Sequence, residues 1–131
     1  MNLLLDTHTF IWYNEGSVEL SHDARQEIEN PQNQCFVSIA SLWEMSIKIG
    51  LGKLDIQSPF ETVLDDVSEN GFELLPVTFE HTFQNSRLDW YHKDPFDRLL
   101  VAQCLVEKIS IISRDSILDL YFGNALVKRI W

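Results

Sequence analysis

Short apolar runs alternate with longer helical stretches along the whole chain, and that alternation limits the fold more than any other feature of the sequence. The runs lie at residues 2–5, 35–38, 72–77, 109–112 and 125–130, each of a length suited to a buried strand. The stretches between them carry helix punctuation. Ser21 is placed to cap a helix over 21–30 that Pro31 stops, and a second helix over 39–49 is closed by Gly50 and Gly52. A third opens at Ser58-Pro59 and runs to Asn70-Gly71, with proline at its first position. Residues 78–87 read as a helix followed by a polar loop, 89–93, and 95–108 is a long helical pattern with Phe96, Leu99, Leu100, Leu105 and Val106 apolar. Strands separated by helices need crossover connections, which produce a mostly parallel sheet covered on both faces. The sequence therefore predicts an α/β fold with three layers, α/β/α. No repeat, low-complexity block or linker interrupts it, so residues 1–131 read as one domain. In such sheets ligands bind beyond the carboxyl ends of the strands, so the residues that follow each apolar run matter most.

Composition narrows the function. Apolar residues make up 45% of the chain and charged residues 23%, enough to build a core and too little charge for a disordered acidic tail. The longest apolar runs, such as 3–5 and 10–13, fall far short of a membrane span. No basic region or small-residue cleavage site marks the N-terminus, and Cys35 and Cys104 sit far apart in apolar contexts. These features fit a reduced, cytoplasmic protein better than a disulfide scaffold or a zinc site. The net charge is −10, and residues 1–47 hold seven acids against one base, Arg25. Such a surface repels nucleic acid, unless clustered acids collect divalent cations and reverse the local sign.

Several acids stand where the parallel-sheet rule points. Asp6 follows the first run, and Asp115 follows the fourth after Ser113-Arg114. Asp94 and Asp97 open the helix at 95, and Glu44 lies in the helix after the second run. Each also has a structural explanation. Asp6, Asp94 and Asp115 are placed to cap helices, Asp97 complements a helix dipole, and Glu44 with Lys48 has the spacing of a surface ion pair. However, Glu44 sits amid Leu42, Trp43, Met45 and Ile47, so its part of the helix is expected to be buried, where an acid needs a partner. Converging carboxylates repel one another unless protonated or neutralised by a cation. Oxygen-only donors suit Mg²⁺ or Mn²⁺, ions that accept substrate phosphate and generate a nucleophile from water. The reaction that calls for such a set is phosphodiester hydrolysis.

Three blocks in order, Leu3-Leu4-Leu5-Asp6-Thr7-His8 with Ile11-Trp12, Ser38-Ile39-Ala40-Ser41-Leu42-Trp43-Glu44, and His92-Lys93-Asp94-Pro95-Phe96-Asp97-Arg98-Leu99-Leu100, resemble PIN-domain proteins. Gly52-Lys53-Leu54 and Ser113-Arg114-Asp115 extend the match, and the set is most similar to VapC-type toxin ribonucleases of toxin–antitoxin pairs. The resemblance implies a PIN-like fold and an acidic quartet of Asp6, Glu44, Asp97 and Asp115 that holds Mg²⁺ or Mn²⁺ and activates the water that cleaves RNA. Asp6 and Asp97 would be the most direct ligands, with Glu44 and Asp115 completing the site directly or through water, and Ser113 supporting it. It also implies a cognate antitoxin partner and a homodimer. Cys104 stands where the family pattern suggests a smaller residue such as alanine.

Other residues near these blocks admit more than one reading. His8 either orients a phosphate or water or is hydrogen-bonded in the first helical turn, and His92 reads as an exposed loop residue. Arg98 and Arg114 read as phosphate contacts or as ion-pair partners of Asp94 or Asp97. Asp119 reads as a solvated helix residue or a spare outer acid, and Trp12, Tyr13 and Trp43 read as core or partner surface, or as groups that stack bases. A dehalogenase-like phosphatase needs a second Asp two residues after the first, where this chain has His8. A receiver domain needs an acidic pair at the first strand, and a dinucleotide site needs a glycine-rich loop, and neither pattern is present. Two alternatives to an RNA-cutting enzyme remain open at this level: a non-catalytic metal- or protein-binding PIN-like module, and a nuclease acting on another nucleic acid.

Overall fold

The computed structural model describes residues 1–123 and 125–131. In chain order the elements are β1 (Asn2–Leu5), α1 (Thr7–Glu15), α2 (His22–Glu29), β2 (Gln34–Ser38), α3 (Ile39–Gly50), α4 (Val63–Glu69), β3 (Glu73–Leu75), α5 (Phe79–Ser86), α6 (Pro95–Glu107), β4 (Ser110–Ile112), α7 (Asp119–Phe122) and β5 (Arg129–Ile130). The five strands form one sheet in the order β3-β2-β1-β4-β5, and every neighbouring pair is parallel. This is the expected α/β/α architecture.

The central strand explains why the first apolar run is unbroken. Side chains alternate faces along a strand, so a strand covered on both sides needs apolar residues at consecutive positions. Leu3 and Leu5 pack into a cluster with Phe10, Ile11, Ala24, Ile28, Val63, Val67 and Phe72, which joins α1, α2 and α4 to one face. Leu4 points the other way, into a cluster with Leu100, Val101, Cys104, Ile109, Ile111 and Phe122 under α6 and α7. Cys104 is fully buried here, and both cysteines are free.

Three expected elements differ in extent. The helix predicted from Ser58-Pro59 begins as a separate 3-10 turn, Phe60–Thr62, before α4. There the Thr62 hydroxyl donates to the Pro59 carbonyl at 2.8 Å, a local bond that competes with helical pairing. The third strand covers only Glu73–Leu75 of the expected 72–77, because Pro76 has no N–H to give the ladder. The fifth covers only Arg129–Ile130, although Ile111 N–H also reaches the Lys128 carbonyl at 3.0 Å. Among the described residues, no helix is long and apolar enough to cross a membrane.

Because Leu4 is 0% exposed at the centre of the sheet, Leu4→Ala should lower unfolding free energy by roughly 2–5 kcal/mol in a urea titration.

Candidate active site

The sheet order places the switch in winding direction between β1 and β4. The chain moves outward through β1, β2 and β3, then returns to start β4 on the other side of β1. Helices leaving β1 and β4 therefore diverge, and a crevice opens at the carboxyl ends of these two strands. Asp6 N–H donates to the Ile112 carbonyl at 3.1 Å and Thr9 Oγ1 donates to the same oxygen at 3.0 Å, so the segment after β1 is tied to the end of β4.

Capping fixes the acids at this crevice. Asp6 caps α1, with Oδ1 accepting from Thr9 N–H at 2.8 Å. Asp115 caps the 3-10 turn Ser116–Leu118 through Ile117 N–H at 3.1 Å, while its own N–H donates to Ser113 Oγ at 3.1 Å. Asp94 caps α6 by accepting from Phe96 and Asp97 N–H at 2.8 and 3.2 Å, which sets Asp97 in the first turn. The cap reading and the site reading are thus the same geometry: the bond that ends each loop also aims its carboxylate. Asp6, His8, Trp12, His92, Asp97, Arg114 and Asp115 line one open cleft of about 420 Å³.

Glu44 stands behind this cleft rather than on its lining. It is 2% exposed, and it has the partners that a buried acid needs. Thr7 Oγ1 donates to Oε1 at 2.6 Å, and the Lys48 ammonium binds Oε2. The pair with Lys48 is therefore half-buried, not a surface pair.

The electrostatics bear the mark of crowded negative charge. Burial, then the neighbouring charges of Asp94 and Asp6, push the Asp97 carboxyl up to about 7, with Glu44 adding to the rise and His92 opposing it. Burial also raises Asp6, partly offset by hydrogen bonds from Ser113 and Thr9. One ligand atom each from His92, Asp97 and Asp115 lie within 4.8 Å of one another. Oxygen donors crowded in this way fit a divalent cation, since such an ion would offset both the burial and the like charges that hold Asp97 up.

Three residues behave differently from the sequence expectation. His92 is in the site: its Nε2 is 2.6 Å from Asp115 Oδ2 and 3.3 Å from Asp97 Oδ2, and its side chain is 14% exposed. The signal for this was its place two residues before the cap Asp94, which lets its Nδ1 accept Asp94 N–H at 3.0 Å. Arg98 has no carboxylate partner among the described residues and is turned to backbone carbonyls and an aromatic ring. It is 3% exposed, lies 3.7 Å over the Trp90 ring, and donates to the carbonyl of Asp89 at 2.7 Å, that of Leu88 at 3.3 Å and Tyr121 Oη at 3.1 Å. Tyr121 Oη in turn accepts from His92 N–H at 2.9 Å, so Arg98 braces the loop that carries His92. Arg114 lines the cleft but pairs with Glu19 at 2.8 Å and lies 4.7 Å over Trp12. Asp119 is an exposed helix residue, as expected, and also holds Arg129 through both carboxylate oxygens, at 2.9 and 3.1 Å. His8, exposed at the cleft, sits 5.5 Å from Trp12, whereas Tyr13 packs on Phe72 in the core and Trp43 is an exposed surface residue.

The sequence matches the PIN domain family model over residues 3–121. Solved structures share the fold at low identity. VapBC2 from Rickettsia felis, bound to a DNA fragment from its promoter, superposes with a TM-score of 0.67 at 14% identity, covering 99% of this chain and 98% of that one. A toxin–antitoxin complex from Klebsiella pneumoniae gives 0.64 at 17%, covering 95% and 94%. VapBC-5 from Mycobacterium tuberculosis gives 0.62 at 18%, covering 98% and 97%. No curated protein sequence matches significantly.

The raised Asp97 has a consequence for stability. The carboxyl ionises near 3.8 when unfolded and near 7 when folded, so in the metal-free protein its cost to folding grows as pH rises through that window and is constant above it. Asp97→Asn should therefore be the more stable protein in EDTA at pH 8, by roughly 2–4 kcal/mol. That advantage should shrink towards zero near pH 4, as thermal unfolding across the range would read.

Proposed function

The chain belongs to the PIN domain family, and from that premise we propose that it is a Mg²⁺- or Mn²⁺-dependent endoribonuclease and the toxin of a type II toxin–antitoxin pair. The observation that carries this reading is the gathering of Asp6, Asp97 and Asp115 in one cleft, with Glu44 behind them, at the switch point of the sheet. Carboxylates gathered in one crevice repel one another unless protonated or neutralised by a cation, which supports a cation-binding role for the cleft.

In this reading Asp6 and Asp97 hold the cation most directly, and Glu44 and Asp115 complete the site, directly or through water. A bound Mg²⁺ or Mn²⁺ supplies Lewis acidity towards a phosphoryl oxygen and lowers the pKa of a water at neutral pH. The protein's part is to keep the acids aimed before substrate arrives, through the caps on Asp6 and Asp115 and through the Thr7 and Lys48 bonds to Glu44. Arg114 is a permanently charged residue on the cleft lining. Its pair with Glu19 is exposed on both sides, 56% and 54%. Such pairs contribute little, so Arg114 is available to exchange Glu19 for a substrate phosphate. The net charge of −10 is compatible with an RNA substrate if the cations at the cleft reverse the local field.

The toxin assignment is supported by the structural likeness to chains whose complexes are described as toxin–antitoxin pairs. The surface offers room for partners: Trp43, Phe79, Phe83 and Trp90 are more than half exposed, and exposed large apolar residues in number are a mark of interaction faces. An antitoxin and a second copy of this chain are the expected occupants, and the setting is the cytoplasm.

Purified protein with Mn²⁺ should cleave RNA, EDTA should stop it, and Asp97→Asn should reduce the rate by roughly 100-fold or more without loss of secondary structure. Equal cleavage by wild type and variant would leave the non-catalytic module as the better reading. Expressed from its own operon, the chain should co-purify with a small protein encoded beside it that suppresses this cleavage, and recovery of the chain alone would contradict the toxin assignment.

A further inference from the structure

His92, Asp97 and Asp115 together look like a ligand trio, yet the hydrogen bonding of the ring argues for a different division of labour. A backbone N–H is only a donor. Since Asp94 N–H points at His92 Nδ1 at 3.0 Å, Nδ1 must present its lone pair, and the ring hydrogen sits on Nε2. Nε2–H then donates to Asp115 Oδ2 at 2.6 Å, with Asp97 Oδ2 at 3.3 Å beside it. A nitrogen carrying hydrogen has no lone pair for a metal.

We propose that His92 is a positioning residue of the carboxylate site, one that orients Asp115 and steadies Asp97 by hydrogen bonding and does not itself ligate the cation. With Ile117 N–H on Oδ1 at 3.1 Å and His92 on Oδ2, the Asp115 carboxylate is pinned at both oxygens and keeps its remaining lone pairs for an ion. The ring is held in turn by its surroundings. Its backbone N–H donates to Tyr121 Oη at 2.9 Å, and that hydroxyl donates to the Asp89 carbonyl at 2.8 Å and accepts from Arg98 at 3.1 Å. Arg98 is 3% exposed and has no carboxylate partner among the described residues. A guanidinium buried on carbonyls and one aromatic face is a costly arrangement, and what it secures is the loop 88–92. Partners of this kind, one bond removed from a metal, usually govern affinity as strongly as a weak ligand does.

This inference rests on the cation site proposed above, and the two are separable by calorimetric titration of Mn²⁺ into wild type, His92→Gln and His92→Ala. Glutamine can accept from Asp94 N–H and donate to Asp115, so it should bind within a few-fold of wild type, whereas His92→Ala should bind roughly 10–100-fold more weakly. Pulsed electron paramagnetic resonance of the Mn²⁺-loaded wild type should show no directly bound nitrogen. A directly bound nitrogen, an unweakened His92→Ala, or a His92→Gln as weak as His92→Ala would each overturn the role given to His92. A wild type that binds no Mn²⁺ would overturn the cation site itself, and this role with it.

Discussion

Like charges held together at the end of a parallel sheet are the constraint on which the rest of this molecule turns. The strand order puts the carboxyl ends of β1 and β4 side by side, with Asp6 directly after β1 and Asp115 three residues past the end of β4. Burial, with the fields of Asp94 and Asp6 added to it, pushes the Asp97 carboxyl up to about 7, as expected where desolvation and like charges are incompletely compensated. A fold that retains such repulsion sacrifices stability at a place where a cation would restore it.

The site is built almost entirely from devices that are ordinary elsewhere in proteins. Asp6, Asp94 and Asp115 each accept backbone N–H bonds at the start of a helical turn. Those bonds satisfy donors that a helix terminus would otherwise leave open, and they also fix the carboxylates in direction. Glu44 is aimed differently, from mid-helix, by Thr7 and Lys48. Behind the loop carrying His92, Arg98 and Tyr121 form a second layer whose bonds go to backbone carbonyls rather than to other acids. The site thus rests on rigid elements on one side and on a braced loop on the other.

Much of this was legible in the sequence, for identifiable reasons. Three consecutive leucines at 3–5 announce a strand buried on both faces, and an acid directly after such a strand announces the crevice. Asp94-Pro95 marks its helix start because a cap and an N1 proline are both local preferences. What the sequence did not disclose depended on contacts remote along the chain. Arg98 follows a helix start rich in acids, so spacing suggested ion pairs, yet its guanidinium is directed to the carbonyls of Leu88 and Asp89 and to the ring of Trp90. His92 lies in a loop with polar neighbours, and its partner in the site is Asp115, 23 residues away. Pro76, visible in the sequence, explains the short third strand.

The most direct test of the account is a calorimetric titration of Mn²⁺ into the wild-type protein and Asp97→Asn at moderate salt and pH 8. If the carboxylates form one cation site, the wild type will bind with a saturable isotherm and the variant will lose that binding. Equal isotherms for the two proteins, or none for the wild type, would mean that the acids converge without forming such a site.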